Sequence, residues 1–473
     1  MSSRPIKTNV PHILMIAVVA LLTACGGGGV VDAVPGNTGG GSSSTLPEPF
    51  DTGVSYTQEL YVQAGAVGGN GSAAMPFGTI QQAAAVVTGG TRIHVAAGTY
   101  VGPIFLTNVS GTSTAAPIAI VGEPGAIIDG GGSNAFTVSQ SRFLVIEGLT
   151  FRNSLNTLLV LDDGGDVNNA EALDHIALRN LVFLAHNNSP ATRCLQLAGA
   201  NNFWVLDSDF SGCASIQALQ VVGGHSGVIH GNRIHDMTLS GGGLQLRGGS
   251  RAIMIHGNRF ANLGVDAFAI KAGGSTDFAF FRPPIQPAPA VNTEAAQILM
   301  EANVVSSVGT AVSFTGCDDC SFTNNTVIDP TRWVSRILQE TFSDATYTFE
   351  PCRNGRFVNN IVRYRTADIP SGYQIVNISA GTDPATFEYG NNLWWATDQG
   401  AGYVTLLRPE IAAETASLHQ LDPGFANSAA GDFHIDATSP AAGRGRAVSD
   451  SSGMDFDGID YRNPRSIGAF DVP

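Results

Sequence analysis

CLQLAGANN (residues 194–202), ALQVVGGHS (218–226), GLQLRGGSR (243–251) and AFAIKAGGS (267–275) are four versions of one phrase. Their leading apolar residues, Leu195, Leu219, Leu244 and Phe268, sit 24, 25 and 24 residues apart. The phrase returns as AVSFTGCDDC (311–320), opening on Val312, after a longer interval. Between these copies runs a second phrase: VIHGNRI (228–234), MIHGNRF (254–260), LMEANVV (299–305), SFTNNTV (321–327) and RFVNNIV (356–362). A period of this size marks a repeat architecture. In the first phrase apolar residues alternate with Gln196, Gln220, Gln245, Ala269 and Ser313, the pattern of a strand with one buried face. Asn232, Asn258, Asn303, Asn325 and Asn360 recur at one point of the second phrase. Asn tolerates the left-handed backbone of a tight turn, and stacked Asn side chains can hydrogen-bond up a column. Each unit has room for short strands and none for a helix. The expected fold is all-β: a right-handed parallel β-helix whose coils lie about 4.8 Å apart.

Composition agrees with a turn-rich solenoid. The 473 residues include 57 Gly, and only 13% are charged. A solenoid lengthens by adding coils, so length does not count domains. The net charge of −15 argues against nucleic acid as a partner. It would also repel an acidic polymer unless a local basic strip intervenes.

Residues 1–25 have the form of an export signal. Arg4 and Lys7 precede an apolar run from Ile13 to Leu22, which is short for a membrane span. The run ends in Leu22-Thr23-Ala24-Cys25-Gly26, which resembles a bacterial lipoprotein box. That resemblance implies a lipid on Cys25 and, with Gly rather than Asp following, an outer-membrane lipoprotein facing the periplasm or the surface. Residues 26–55 are rich in Gly, Ser and Thr and read as a flexible tether. The β-helix domain is expected over 56–473. A short helix after Pro76-Phe77-Gly78-Thr79 would cap its first coil, and a C-terminal cap would begin near residue 420.

YVQAG, PFGTIQQAA, IHVAAGTY and IAIVGEPGAIIDG in the N-terminal part resemble secreted bacterial β-helix proteins. Polysaccharide lyases of the alginate lyase and chondroitinase B kind are among them. LDPGFANSAAGDFHIDATSPAAG and DFDGIDYRNPRSIGAFD resemble the closing segment of the same group.

Two interruptions, Thr276 to Gln297 and Pro330 to Glu350, are long enough to fold over the coils. The first carries Phe280, Phe281 and Arg282, and long loops on a rigid scaffold commonly hold binding groups. Cys317 and Cys352 each precede a column Asn by eight residues, which stacks them in neighbouring coils within disulfide reach. A Cys317–Cys352 bridge is therefore expected, with Cys194–Cys213 the other available pairing.

In the first phrase Arg247 and Lys271 follow inward residues and should point out, at equivalent places in consecutive coils. Two cations that close repel by about 3 kcal/mol at an effective dielectric of about 20. Lysine can yield its proton and arginine cannot, so Lys271 becomes a candidate general base and Arg247 a carboxylate clamp. That pair suits β-elimination of a uronic acid polymer, with Gln220, Gln245, Arg282 and Phe280 as substrate contacts. Here the chain resembles polysaccharide lyase family 6, which places a catalytic lysine and arginine on successive coils. The order along this chain is reversed, and the family's Asn-Gly-x-Asn-Glu stretch, which binds calcium, is missing. No cofactor is required by the motifs, and Ca2+ is the cation the resemblance implies. His230, His256 and Glu301 form a second outward column that could hold a metal.

Val265-Asp266-Ala267-Phe268-Ala269-Ile270-Lys271 also looks like part of a polygalacturonase-type hydrolase site, though with only one of its paired acids. A non-catalytic, glycan-binding or adhesin β-helix is the third alternative. The expected protein is a monomer whose partners are an acidic polysaccharide and, through Cys25, a membrane.

Overall fold

Asn232, Asn258, Asn303, Asn325, Asn360 and Asn392 stand one above another, all at most 1% exposed. Each Nδ2 donates to Oδ1 of the next at 3.0–3.2 Å. The same Oδ1 also accepts the backbone N–H of the Asn below, at 2.8–3.0 Å. A buried amide with every group bonded in a dry column defines the turn at which each coil bends. The left-handed residue of that turn is the one before each Asn. Gly231, Gly257, Ala302, Asn324, Asn359 and Asn391 have φ between 50 and 68°. The amides themselves serve the ladder.

This computed structural model describes residues 46–185, 193–213, 217–237, 242–371 and 374–472. The expected Cys25 anchor and most of the tether lie outside them. Among the described residues, three long sheets are built wholly from parallel pairs. A coil enters the first sheet (Ala200–Leu206), bends at Ser208 into a short strand of the third (Asp209–Ser211), and crosses to the second (Gln217–Val222). It then turns at Gly223-Gly224 into the next strand of the first sheet (His225–His230). The fold is a right-handed parallel β-helix. Stacked rings fill its interior, as in Phe151–Phe183–Phe210 with centroids 5.2 and 4.6 Å apart. The expected capping helix is Ile80–Ala84, which buries Ile80 and Ala83. Thr79 and Gln82 cap it reciprocally.

The two ends depart from expectation. Residues 46–55, read as tether, pack on the outer face of the first sheet. Phe50 lies against Phe143, His175 and Trp204, and Asp51 accepts two bonds from Arg179 at 2.8 and 2.9 Å. The C-terminal segment is a strap along the side of the upper coils. Phe433, Ala469 and Phe470 pack there on Val304 and Ile328.

The expected Cys317–Cys352 bridge is replaced. Cys317 pairs with Cys320 (Cα–Cα 6.2 Å) and Cys194 with Cys213 (5.8 Å), leaving Cys352 a buried thiol. The stacking behind the expectation does hold, because Asp318 pairs with Arg353 and so sets Cys317 beside Cys352. What redirects the bond is Asp319, whose left-handed backbone (φ 55°) turns Cys320 back into the core beside Cys317.

Candidate functional site

The second sheet carries the outward residues at issue. Its central column reads Val160, Gln196, Gln220, Gln245, Lys271, Ser313, Arg336 and Asn377. Lys271 therefore stands over Gln245, not beside Arg247. Arg247 belongs to the next column, above Val222, and the chain above it has reached Gly273. The step from Leu244 is to Ile270, not Phe268. The Gly-Gly pairs misled the alignment. Gly248-Gly249 turn the corner directly, whereas Gly273 still pairs with Thr315 in the sheet before the insertion leaves at Gly274.

Lys271 is held elsewhere. Its Nζ donates to both carboxylate oxygens of Glu340, each at 2.9 Å, under a roof made by Gly274 and Ser275. Burial acts to raise the Glu340 carboxyl, but the charge and hydrogen bonds of Lys271 outweigh it and hold that group low. Gln245 is buried beneath the same roof and donates to the Gly273 carbonyl at 3.1 Å, so it is not a substrate contact. Gln220 is buried too and donates to Gln217 at 3.2 Å and to Gln245 at 3.4 Å, so its amide is spent within the same layer rather than on a substrate.

Below the roof the sheet opens into a cleft of about 530 Å3, lined by Asp162, Asp163, Arg193, Gln196, Gln220, Arg247, Phe280 and Arg282. Arg193 was not foreseen; the signal available was a charge one residue before the first phrase. Burial lowers the pKa of both Arg193 and Arg247, and Arg193 is lowered further by Arg247, so the two guanidiniums feel each other. Arg247 Nη1 donates to the Ser275 carbonyl at 2.9 Å, while the buried Nε of each arginine has no partner. Arg282 also reaches the cleft, but a two-pronged bond to Asp163 (2.7 and 3.1 Å) occupies it. Phe280 is 49% exposed on the rim, whereas Phe281 is buried as an anchor at 2%. The two insertions brace one another through Phe278, Phe281 and Phe349 and a short parallel pair, Val291–Asn292 with Thr348–Phe349.

Glu294 clasps this roof. It accepts from Thr276 Oγ1, from the Gly248 N–H at 3.2 Å and from Thr341 Oγ1 at 3.2 Å, joining both insertions to the coil. Burial pushes its carboxyl up to about 7, against those hydrogen bonds and the nearby Arg247.

The His230, His256 and Glu301 column is stacked as expected but closed by the strap, which removes it as a metal site. His256 is buried, with its pKa pushed down to about 4 by burial, and its Nε2 meets the Met454 carbonyl at 3.1 Å. Glu301 accepts from Ser451, the Ser452 N–H and Arg465. Among the described residues no group of three or more His, Cys, Asp or Glu side chains could hold a metal ion. Asp266, the acid of the hydrolase reading, pairs with Arg332 outside the cleft.

No family model matches this sequence, and no curated protein matches it. Solved structures do. The pectate lyase Pel9A is 16% identical with a TM-score of 0.49, covering 89% of this chain and 98% of its own. An alginate lyase from Paenibacillus sp. str. FPU-7 is 13% identical with a TM-score of 0.43, covering 69% and 97%. XylC, in complex with xylose, is 11% identical with a TM-score of 0.47, covering 87% and 98%. At such identities, substrate and reaction have to be read from this chain's own residues.

Proposed function

We propose that this protein binds an acidic, uronate-containing polysaccharide in the Arg193–Arg247 cleft and cleaves it by β-elimination, tethered to the envelope through Cys25. The observation that carries this reading is the pair of partly buried guanidiniums that line one cleft and form no ion pair among the described residues. They repel one another in a chain of net charge −15. A sugar carboxylate supplies what both lack, two acceptor oxygens matched to a guanidinium fork. Phe280 on the rim offers a ring face for the sugar, and Gln196 offers an amide.

In elimination the C–H bond next to the carboxylate breaks, a C=C bond forms, and the glycosidic oxygen leaves with the electron pair. The guanidiniums stabilise the charge that develops on the carboxylate. As an ammonium paired with Glu340 under the roof, Lys271 has no lone pair, so to serve as the base it must leave that carboxylate and give up a proton of its own. That pairing also favours a second reading, in which the cleft captures the glycan without cutting it.

One assay set separates these. The protein is incubated with alginate, polygalacturonate and glycosaminoglycans, while absorbance of a new C=C bond, reducing ends and binding are followed. Arg193→Ala and Arg247→Ala should each weaken binding about tenfold or more. If Lys271 is the base, Lys271→Ala abolishes elimination and Glu340→Gln speeds it. Full eliminase activity in Lys271→Ala refutes the assignment. Binding with no new double bond and no new reducing ends leaves capture alone.

A further inference from the structure

The cleft does not stop at its rim. Arg282 and Asp163 line a second hollow of about 180 Å3 as well as the cleft, so their ion pair forms a saddle between the two. Beyond the saddle the surface has turned the corner onto the first sheet. There Asn201, His225 and Arg251 stand in register on successive strands, with Asn169 facing them across the hollow. Arg251 is exposed, and no carboxylate among the described residues forms an ion pair with it. It also lines a third hollow of about 270 Å3 beneath the first insertion, with Gln286 and Asn292 and no carboxylate in the lining. Asp163, the one acid of the second hollow, is matched by Arg282. Two cations without an ion-pair partner among the described residues, Arg247 and Arg251, thus lie on either side of the neutral Asp163–Arg282 saddle. Arg251 follows Arg247 by four positions, so their Cα atoms are at most about 14 Å apart.

We propose that an acidic polysaccharide held in the cleft continues over the Asp163–Arg282 saddle and sets a further uronate on the exposed Arg251. This shelf is a polymer-selective subsite, and it rests on the reading of the cleft given above. A short oligosaccharide fills the cleft alone. A long chain engages both places, and the second contact is made at high effective concentration.

The full chain is titrated with polygalacturonate and alginate, each as polymer and as trisaccharide. Arg251→Ala is expected to lower the polymer-to-trisaccharide affinity ratio about tenfold, and Arg251→Lys, which keeps the charge, to restore part of it. Arg247→Ala is expected to weaken polymer and trisaccharide together. An unchanged ratio in Arg251→Ala overturns the shelf while leaving the cleft reading intact. Failure of the unaltered protein to bind either polymer overturns both.

Discussion

Replacing Glu294 by Gln tests how the roof over the cleft is held. The Glu294 side chain is 2% exposed and accepts from Thr276, Gly248 and Thr341, which come from the first insertion, the coil and the second insertion. Burial lifts its pKa from 4.5 to about 7 in the folded protein. Between those values the native state holds a proton that the unfolded chain has released, so stability falls as pH rises through that window. Stability from this group is fullest below pH 4.5 and spent above about 7. At about 1.4 kcal/mol per pH unit, the gap amounts to about 3 kcal/mol. Gln is neutral throughout and keeps an acceptor for the Gly248 N–H. Urea unfolding of both proteins at intervals from about pH 4 to pH 8 gives a difference curve in which groups common to both cancel. The variant should gain about 3 kcal/mol on the unaltered protein across the range. A flat difference curve would refute the claim that this carboxyl is protonated in its clasp. Arg247 also favours the ionised form, so an anion bound there should draw a proton onto Glu294 near pH 7. Calorimetry in two buffers of different ionisation heat would register that uptake.

Two further outcomes bear on the scaffold. Asn303→Ala should cost about 3–5 kcal/mol, because it strips the acceptor from the Asn258 N–H and the donor from the Ile255 and Glu301 carbonyls, all in a dry column. A loss under about 1 kcal/mol in urea unfolding would show the ladder to be incidental. In Cys320→Ser, Cys317 should bond to its stacked neighbour Cys352, and alkylation followed by peptide mapping would reveal the cross-link. Finding both thiols free would mean that the register Asp318–Arg353 does not bring the two sulfurs together.

The repeat and its Asn column were legible because each coil must satisfy the same turn, and the same turn selects the same residue. The column even carried the right step for the site. Asn232 to Asn258 is 26 residues, and so is Leu244 to Ile270. The phrase match followed glycines instead. Gly marks a corner only where the chain turns there, and after Lys271 it does not.

Arg193 was missed for a related reason. Its place in the cleft comes from its neighbour Arg247 two coils on and from the insertion that walls the far side, neither adjacent in sequence. The metal column failed because outward from a sheet is not outward to solvent. The strap at Ser451–Met454 comes from some 150–200 residues away to cover it.

By itself the sequence determined the coil, the direction each strand residue faces, the buried amide ladder and the two insertions. These follow from local periodicity, since a rung touches only the rungs above and below it. Only the tertiary structure decided which cations stay available. Lys271 is taken by Glu340, 69 residues on, and Arg282 by Asp163, 119 residues back, while Arg193 and Arg247 line the cleft with no ion-pair partner among the described residues. Charge pairing between loops depends on where long insertions land, and no repeat encodes that.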